Sequence, residues 1–431
     1  MSASAVAWIL FISLIVFLML NVPVGFAIGL SAFVAILAGG TQSVGYLSQT
    51  MVAGCDSFPI LAVPLFILAG ELMGNGGVSK RILNVCNAFF GRFYGGLAIC
   101  TVVFCMFFAA VSGSGPATVA AVGGMVVPTM LKNGYSKPFT LALIACAGGI
   151  GVIIPPSIPM VFYGTTTGAS IGEMFMAGFM PGILIGLCLI AFCYFYSRKK
   201  GWKDPNAKFS WRVAGRALWD GKFALLNPVI ILGGIYAGIF TPTEAAAVAC
   251  FYALFCGFVV HREMTFKSFM DTMKSAVSTI GTTMLIVGCA TSFAKVLSIT
   301  GAPTAIANAI GNFSDSWLVV ILLINVLLLF VGCFMDTTPA MLILAPILMP
   351  IATGFGFDIV HFGIIMVVNL AIGFITPPLG INLFVAARVG DEPLETVIKG
   401  IIPFIIIMLI DLLLITMIPE ISMTLVNLMR A

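Results

Sequence analysis

The chain has 431 residues, of which 61% are hydrophobic and only 8% charged, with 20 Lys and Arg against 16 Asp and Glu. A soluble domain carries about 25% charged residues, so a water-soluble globule is excluded. Each membrane span needs about 20 apolar residues to cross about 30 Å of hydrocarbon, and runs of that kind recur along the whole sequence, which defines an all-α polytopic membrane protein. The net charge of +4 follows the topology given below and does not call for a nucleic-acid partner.

Residues 4–38 are apolar and interrupted at Asn21-Val22-Pro23, which predicts two short spans; residues 57–74 predict a third, ending before Lys80 and Arg81. Residues 94–131 go in and come back, because Arg92 precedes them and Lys132 and Lys137 follow. Residues 139–170 cross and 174–196 return to a block, Ser197 to Lys222, that holds eight of the twenty bases. In that block Trp211, Val213, Leu218 and Trp219 alternate with Arg212, Arg216 and Lys222, which fits either an interfacial helix or a solvated linker carrying topogenic charge. The second half begins with 224–260, two spans ending at Arg262, and 276–298 cross. Residues 317–353 leave and return on a base-free side, flanked by Asp315 and Asp358; 360–387 cross to Arg388, and 400–419 cross once more. By the positive-inside tendency this gives about ten spans and two hairpin segments with both termini outside. The flanking charges do not distinguish a re-entrant hairpin from two full spans.

Two histidines, His261 and His361, lie far apart, and the eleven cysteines are scattered without CxxC spacing, so neither supplies a metal site or an acid–base pair, and no enzyme is expected. No basic n-region precedes the first apolar run, so no cleavable signal peptide is expected.

The two halves repeat one another. Ser114-Gly115-Pro116-Ala117 falls on Thr337-Thr338-Pro339-Ala340 at an offset of 223. After one residue of slippage Pro128 meets Pro350, Gly151 meets Gly373, Pro155-Pro156 meets Pro377-Pro378, Glu173 meets Glu395 and Pro181 meets Pro403, all at 222. Upstream, Gly77 to Ile82 resembles Gly301 to Ile306. The charge map places the base of the first hairpin inside and that of the second outside, so the copies are inverted, as in many secondary transporters. The first copy occupies 1–197 and the second 223–431, joined by the basic segment 198–222.

Two helix breaks recur in each copy: Ser112-Gly113-Ser114-Gly115-Pro116 and Asp336-Thr337-Thr338-Pro339, then Gly148 to Ser157 and Gly373 to Pro378. Glycine and proline interrupt a helix there, and backbone freed at membrane depth must be satisfied by protein, water or an ion. Hydroxyls of Ser112, Ser114, Thr337 and Thr376 add oxygens to the freed carbonyls, a ligand chemistry that suits sodium, while half-helix N-termini suit an anionic substrate. Packed proline kinks are the plainer alternative. Asp336 is a cation sensor, a proton carrier or a helix N-cap. Thr241-Pro242-Thr243-Glu244 reads as a capping box, with a transport role for Glu244 as the alternative. Asn369 and Asn382 flank the second break as further polar lining, and the sequence selects no use for Glu71 or Lys295, a subunit contact being one option.

At these residues the chain resembles the large membrane subunit of tripartite ATP-independent periplasmic (TRAP) transporters. The segments that carry the resemblance are SGSGPATVAAVG at 112–123, GVIIPPSIPMVFYG at 151–164, GIFTPTEAAAVA at 238–249, MDTTPAMLILAPILMP at 335–350 and GFITPPLGINLFVA at 373–386. The resemblance implies an elevator mechanism in a bacterial inner membrane. Scaffold helices would lie within 1–75 and 224–298. A transport domain would hold the hairpins 94–131 and 317–353 and the broken helices 139–170 and 360–388; spans 174–197 and 400–419 complete the copies. It implies sodium-coupled uptake of an organic acid such as a sialic acid or a C4-dicarboxylate. Two partners would be separate chains: a small four-helix membrane subunit and a periplasmic substrate-binding protein. Carried over residue by residue, one sodium site would use Ser112, Ser114, Gly149, Val152 and Pro155, and its mate Thr337, Gly373, Thr376 and Pro377. Substrate would sit near Ser114, Ser157, Asp336 and Thr338. A symporter of the same architecture acting without a binding protein is the nearest rival.

Overall fold

The computed structural model describes residues 3–40, 42–203, 209–301, 305 and 316–430. Residues 204–208 of the basic segment, Asp315, and all of the Gly301–Ile306 match except Gly301 and Ala305 lie outside the described residues. The first copy runs α1 (Ala3–Met19), α2 (Val24–Gly39), α3 (Val44–Cys55), α4 (Ala62–Asn75), α5 (Val78–Phe90), α6 (Gly96–Ser112), α7 (Gly115–Lys132), α8 (Lys137–Gly149), α9 (Ile158–Thr167) and α10 (Ile171–Lys200). The second runs α11 (Trp211–Tyr236), α12 (Pro242–Phe255), α13 (Phe266–Ile299), α14 (Trp317–Phe334), α15 (Thr337–Gly354), α16 (Ile359–Gly373), α17 (Ile381–Gly390), α18 (Leu394–Met417) and α19 (Glu420–Arg430).

Eight helical segments among the described residues are long and apolar enough to cross a membrane. Six of the ten expected spans are among them, together with both arms of the second hairpin; α1 and α2, at 17 and 16 residues, fall short, and 139–170 and 360–388 are each divided in two by their Gly/Pro runs. Trp211–Tyr236 is one helix, so the amphipathic segment with exposed Trp211, Val213 and Trp219 continues directly into apolar sequence.

The centre of the molecule is built from the first halves of the broken helices. Every residue of α8 from Phe139 to Gly149 and of α16 from Val360 to Gly373 is buried. Helices apolar on all sides belong at the core of a bundle, and here α8 packs against α7, α17 and α18, while α16 packs against α14, α15 and α18. Outside them α2, α3 and α4 pack against α13, and α4 against α12. Close crossings use small residues, since dispersion and shape rather than water exclusion join helices in lipid. At one such crossing a Cβ on Gly373 would lie 2.4 Å from the Gly332 carbonyl carbon, so α14 and α16 touch backbone to backbone.

The basic end of the molecule is held by contacts between distant segments. Arg81 pairs with Glu263 at 2.8 Å, Lys137 pairs with Glu392, Arg92 lies over Phe209, and Trp202 packs on Tyr135 and Phe139. At the opposite end Arg430 binds both oxygens of Glu173, at 2.7 and 2.9 Å, and reaches Asp358 at 3.1 Å. Helix α10 joins the two ends, with Glu173 in its first turn and Lys199 and Lys200 in its last.

Candidate functional site

The first hairpin turns where α6 stops at Gly113, whose φ of +61° is open to glycine without strain. Helix α7 restarts from Ser114, and the turn is tied by hydroxyls. Ser112 Oγ and Thr118 Oγ1 lie 3.0 Å apart, and Thr118 donates to the Ser114 carbonyl at 2.8 Å. The tip docks on the first break: the Ile158 N–H at the start of α9 donates to the Gly113 carbonyl at 3.3 Å. Within that break Ser157 caps α9, accepting from the Met160 N–H and donating to the Val152 carbonyl at 2.6 Å.

The second hairpin turns at Met335–Asp336, and Asp336 is the N-cap of α15. Its Oδ1 accepts from the Thr338 N–H at 3.2 Å and from Thr337 Oγ1 at 3.1 Å. The caps Ser114 and Asp336 are 222 residues apart, the offset of the matched landmarks from Pro128 to Pro181, so the slippage suggested by aligning Ser114 with Thr337 is not needed in three dimensions. Both Pro-Pro breaks, Pro155-Pro156 and Pro377-Pro378, carry a cis peptide, again 222 residues apart.

The two breaks meet at Asn382. Its backbone N–H donates to the Phe374 carbonyl and its side-chain amide to the Ala145 carbonyl, each at 3.0 Å. A Cβ on Gly115 or on Gly149 would come within 4 Å of the same amide nitrogen, so the start of α7 and the end of α8 both face it. The Asn382 Oδ1 is buried and has no hydrogen-bond partner among the described residues.

A cavity of about 700 Å³ opens beside the tips. Ser112, Ser114 and Pro116 line it from the first hairpin, Asp336, Thr337 and Thr338 from the second, Val152 and Ile158 from the first break, Glu71 from α4, and Thr279 and Thr283 from α13. The tips of two hairpins therefore share one chamber although their bases lie at opposite ends. Its wall continues along Ala120, Ala121 and Met125 of α7 and Asn75 and Ser79 of α4 and α5, toward the end that carries Lys80 and Lys132. No Lys, Arg or His is among its described lining residues.

Of the expected site residues, Ser112, Ser114, Val152, Asp336, Thr337 and Thr338 reach this chamber. Gly149 and Pro155 are buried behind it, and Ser157 serves as a cap. Gly373 is occupied by its crossing with Gly332; Thr376 donates to the Ile372 carbonyl at 2.8 Å and, with Pro377, is half-buried outside the lining. Asn369 does not line the chamber: its amide donates to Asn325 Oδ1 at 2.7 Å, joining α14 to α16. The sequence pattern singles out Glu71 without a use, and does not single out Thr118. Thr118 lies four residues after the cap, where a side-chain hydroxyl reaches back to the cap carbonyl, and that spacing was the available signal.

The profile of the family described as "Tripartite ATP-independent periplasmic transporter, DctM component" matches residues 11–421. The "Isethionate TRAP transporter permease protein DctMQ" of Oleidesulfovibrio alaskensis is 48% identical over 407 residues, covering 94% of this chain, and the chain spans 64% of that relative's length. The "C4-dicarboxylate TRAP transporter large permease protein DctM" of Pseudomonas aeruginosa is 42% identical over 404 residues, 93% of this chain and 94% of the relative. The "Sialic acid TRAP transporter large permease protein SiaM" of Vibrio cholerae is 37% identical over 406 residues, 94% of this chain and 95% of the relative. Among solved structures, the YdaH transporter of Alcanivorax borkumensis superposes with a TM-score of 0.59 over 86% of this chain and 88% of its own, at 16% identity, which is a likeness of fold.

Proposed function

The chain belongs to the DctM family of tripartite ATP-independent periplasmic transporters, as a large membrane subunit, and on that premise we propose that it carries out sodium-coupled uptake of an organic acid by an elevator mechanism. The observation that supports this most is the chamber itself. Two hairpin tips from oppositely directed copies meet there, presenting hydroxyls, freed carbonyls and the N-termini of α7, α9 and α15, with no basic side chain among the described lining residues. An organic anion held at helix N-termini beside two carboxylates needs compensating positive charge, and sodium ions on the neutral oxygens around Ser112, Ser114, Thr118 and Thr337 supply it. Each positive charge carried inward gains about 2.3 kcal/mol per 100 mV, so two sodium ions with one monoanion give net drive.

In this reading α1–α4 and α11–α13 form the scaffold, and the hairpins and broken helices form the moving unit. The chamber's extension toward the Lys80 and Lys132 end is then the inward-facing state, with both termini periplasmic in a bacterial inner membrane. A small membrane subunit enlarges the scaffold, and a periplasmic binding protein delivers the substrate. The similarity to the isethionate relative puts a two-carbon sulfonate first among substrates to assay, ahead of C4-dicarboxylates and sialic acid.

The test is uptake of these three anions into proteoliposomes holding the complex with cognate binding proteins. Uptake of one of them that needs an inward sodium gradient supports the reading. Equal uptake when potassium replaces sodium refutes the coupling, and uptake without any binding protein favours a self-sufficient symporter.

A further inference from the structure

We infer that Glu71 and Lys295 are a matched pair of vestibule charges, an acid at the inner mouth and a base at the outer mouth, that bias the rates at which the organic anion enters from each side. The inference rests on the elevator reading above. Helix α4 ends at Asn75 and α13 at Ile299, 224 residues apart. Two residues beyond each end a glycine stands in the left-handed region, Gly77 at φ +78° and Gly301 at +64°, again 224 apart. The same offset carries Glu71 onto Lys295, each one turn before the end of its helix.

The two helix ends lie at opposite ends of the molecule. The end of α4 meets the first turns of α13, where the Asn75 amide donates to Thr272 Oγ1 at 3.1 Å, so the pair is antiparallel. Glu71 is already in the chamber wall, and its neighbour Gly70 packs so closely on the first hairpin that a Cβ there would lie 3.0 Å from the Ser112 Cα. When the moving unit slides to the other side, the pseudo-symmetric vestibule is walled by the end of α13, with exposed Lys295 in the place of Glu71.

Opposite charges at the two mouths have a kinetic consequence. A charge at the neck of a low-dielectric cleft concentrates counter-ions and speeds their entry, over a range of about 10 Å at 0.1 M salt. Lys295 favours arrival of the anion from outside; Glu71 disfavours its return from inside and attracts the departing sodium. The equilibrium coupling is unchanged, because both charges belong to the protein and cancel over a cycle.

The test measures local field without needing a substrate. In the full chain in liposomes, a Thr279→Cys reporter is placed in the inner vestibule and a Ser298→Cys reporter beside Lys295, with the native cysteine background subtracted. Impermeant methanethiosulfonates bearing either trimethylammonium or sulfonate are applied from each side, with and without sodium. Glu71→Gln should lower the ammonium-to-sulfonate rate ratio at the inner reporter by about 3- to 10-fold, and Lys295→Gln should raise it at the outer reporter by a similar factor. Lys295→Arg should keep the parent ratio. An outer ratio indifferent to Lys295→Gln, or a Ser298→Cys thiol unreactive under every sodium condition, overturns the inference. Sodium-driven uptake is measured in the same vesicles: intact uptake with indifferent ratios sinks this inference alone, and shifted ratios without sodium-driven uptake sink the proposed function instead.

Discussion

Asn382 donates its side-chain amide to the carbonyl of Ala145 at 3.0 Å, across a sequence separation of 237 residues and between the two inverted copies. The bond joins the start of α17 to the last turns of α8, where both breaks converge. Removing one partner of a buried hydrogen bond leaves the other unsatisfied, at about 1–3 kcal/mol. Asn382→Ala should lower the thermal midpoint of the purified chain in detergent and reduce its response to sodium. A parent-like midpoint would show that the contact is dispensable.

Gly373→Ala should be far more damaging than its one methyl group suggests. The new Cβ would sit 2.4 Å from the Gly332 carbonyl carbon, and backbone cannot yield as a side chain can. We expect loss of most folded protein in membranes, measured by fluorescence-detected size exclusion. Gly124→Ala, with nothing within 4 Å, should yield parent levels.

The Arg430 clasp predicts a pH dependence. Burial pushes the Asp358 carboxyl up, but the Val360 N–H and the Arg430 guanidinium outweigh it and hold the group below its ordinary value. A lowered folded-state pKa contributes stability above the unfolded value that is lost as pH falls through the folded one. Arg430→Gln should therefore lower the thermal midpoint at pH 7, by no more than about 1 kcal/mol equivalent for so exposed a pair. The gap to the parent should close as pH falls below the ordinary carboxylate range. A gap that persists at low pH would assign the loss to packing of α19.

Thr241→Ala tests a cap legible from sequence alone. The box is complete: Glu244 accepts from the Thr241 backbone N–H at 2.8 Å, and Thr241 Oγ1 accepts from the Glu244 N–H at 3.3 Å. Loss of a threonine cap costs about 1 kcal/mol, so the variant should melt earlier while its sodium dependence of uptake stays unchanged. Altered sodium dependence would give Glu244 a part in transport.

Much of the architecture was legible because helix interruption is written in residue type: glycine and proline mark the breaks wherever they fall, and bases mark one end. The tips were legible only approximately. Which residue caps a restarted helix depends on backbone geometry, so Ser114 and Asp336, chemically unlike, were not recognised as equivalents. Thr118 looks like any helical threonine until the turn folds back on it. Asn369 was misplaced because a buried asparagine beside a break satisfies itself equally well on a neighbouring helix, here through Asn325. Glu71 and the Arg430 clasp depend on contacts between segments about 70 to 260 residues apart, which local pattern does not encode.

Sodium binding by the hairpin tips through neutral oxygens is the step from which coupled uptake follows. The most direct measurement is the thermal midpoint of the purified chain titrated with sodium or potassium chloride at constant ionic strength, since a ligand that binds only the folded state raises it by mass action. Sodium should give a saturable rise, potassium none, and the rise should weaken in Ser114→Ala and Thr118→Val. An equal rise with both salts, or a sodium response untouched by those substitutions, would contradict binding at the tips.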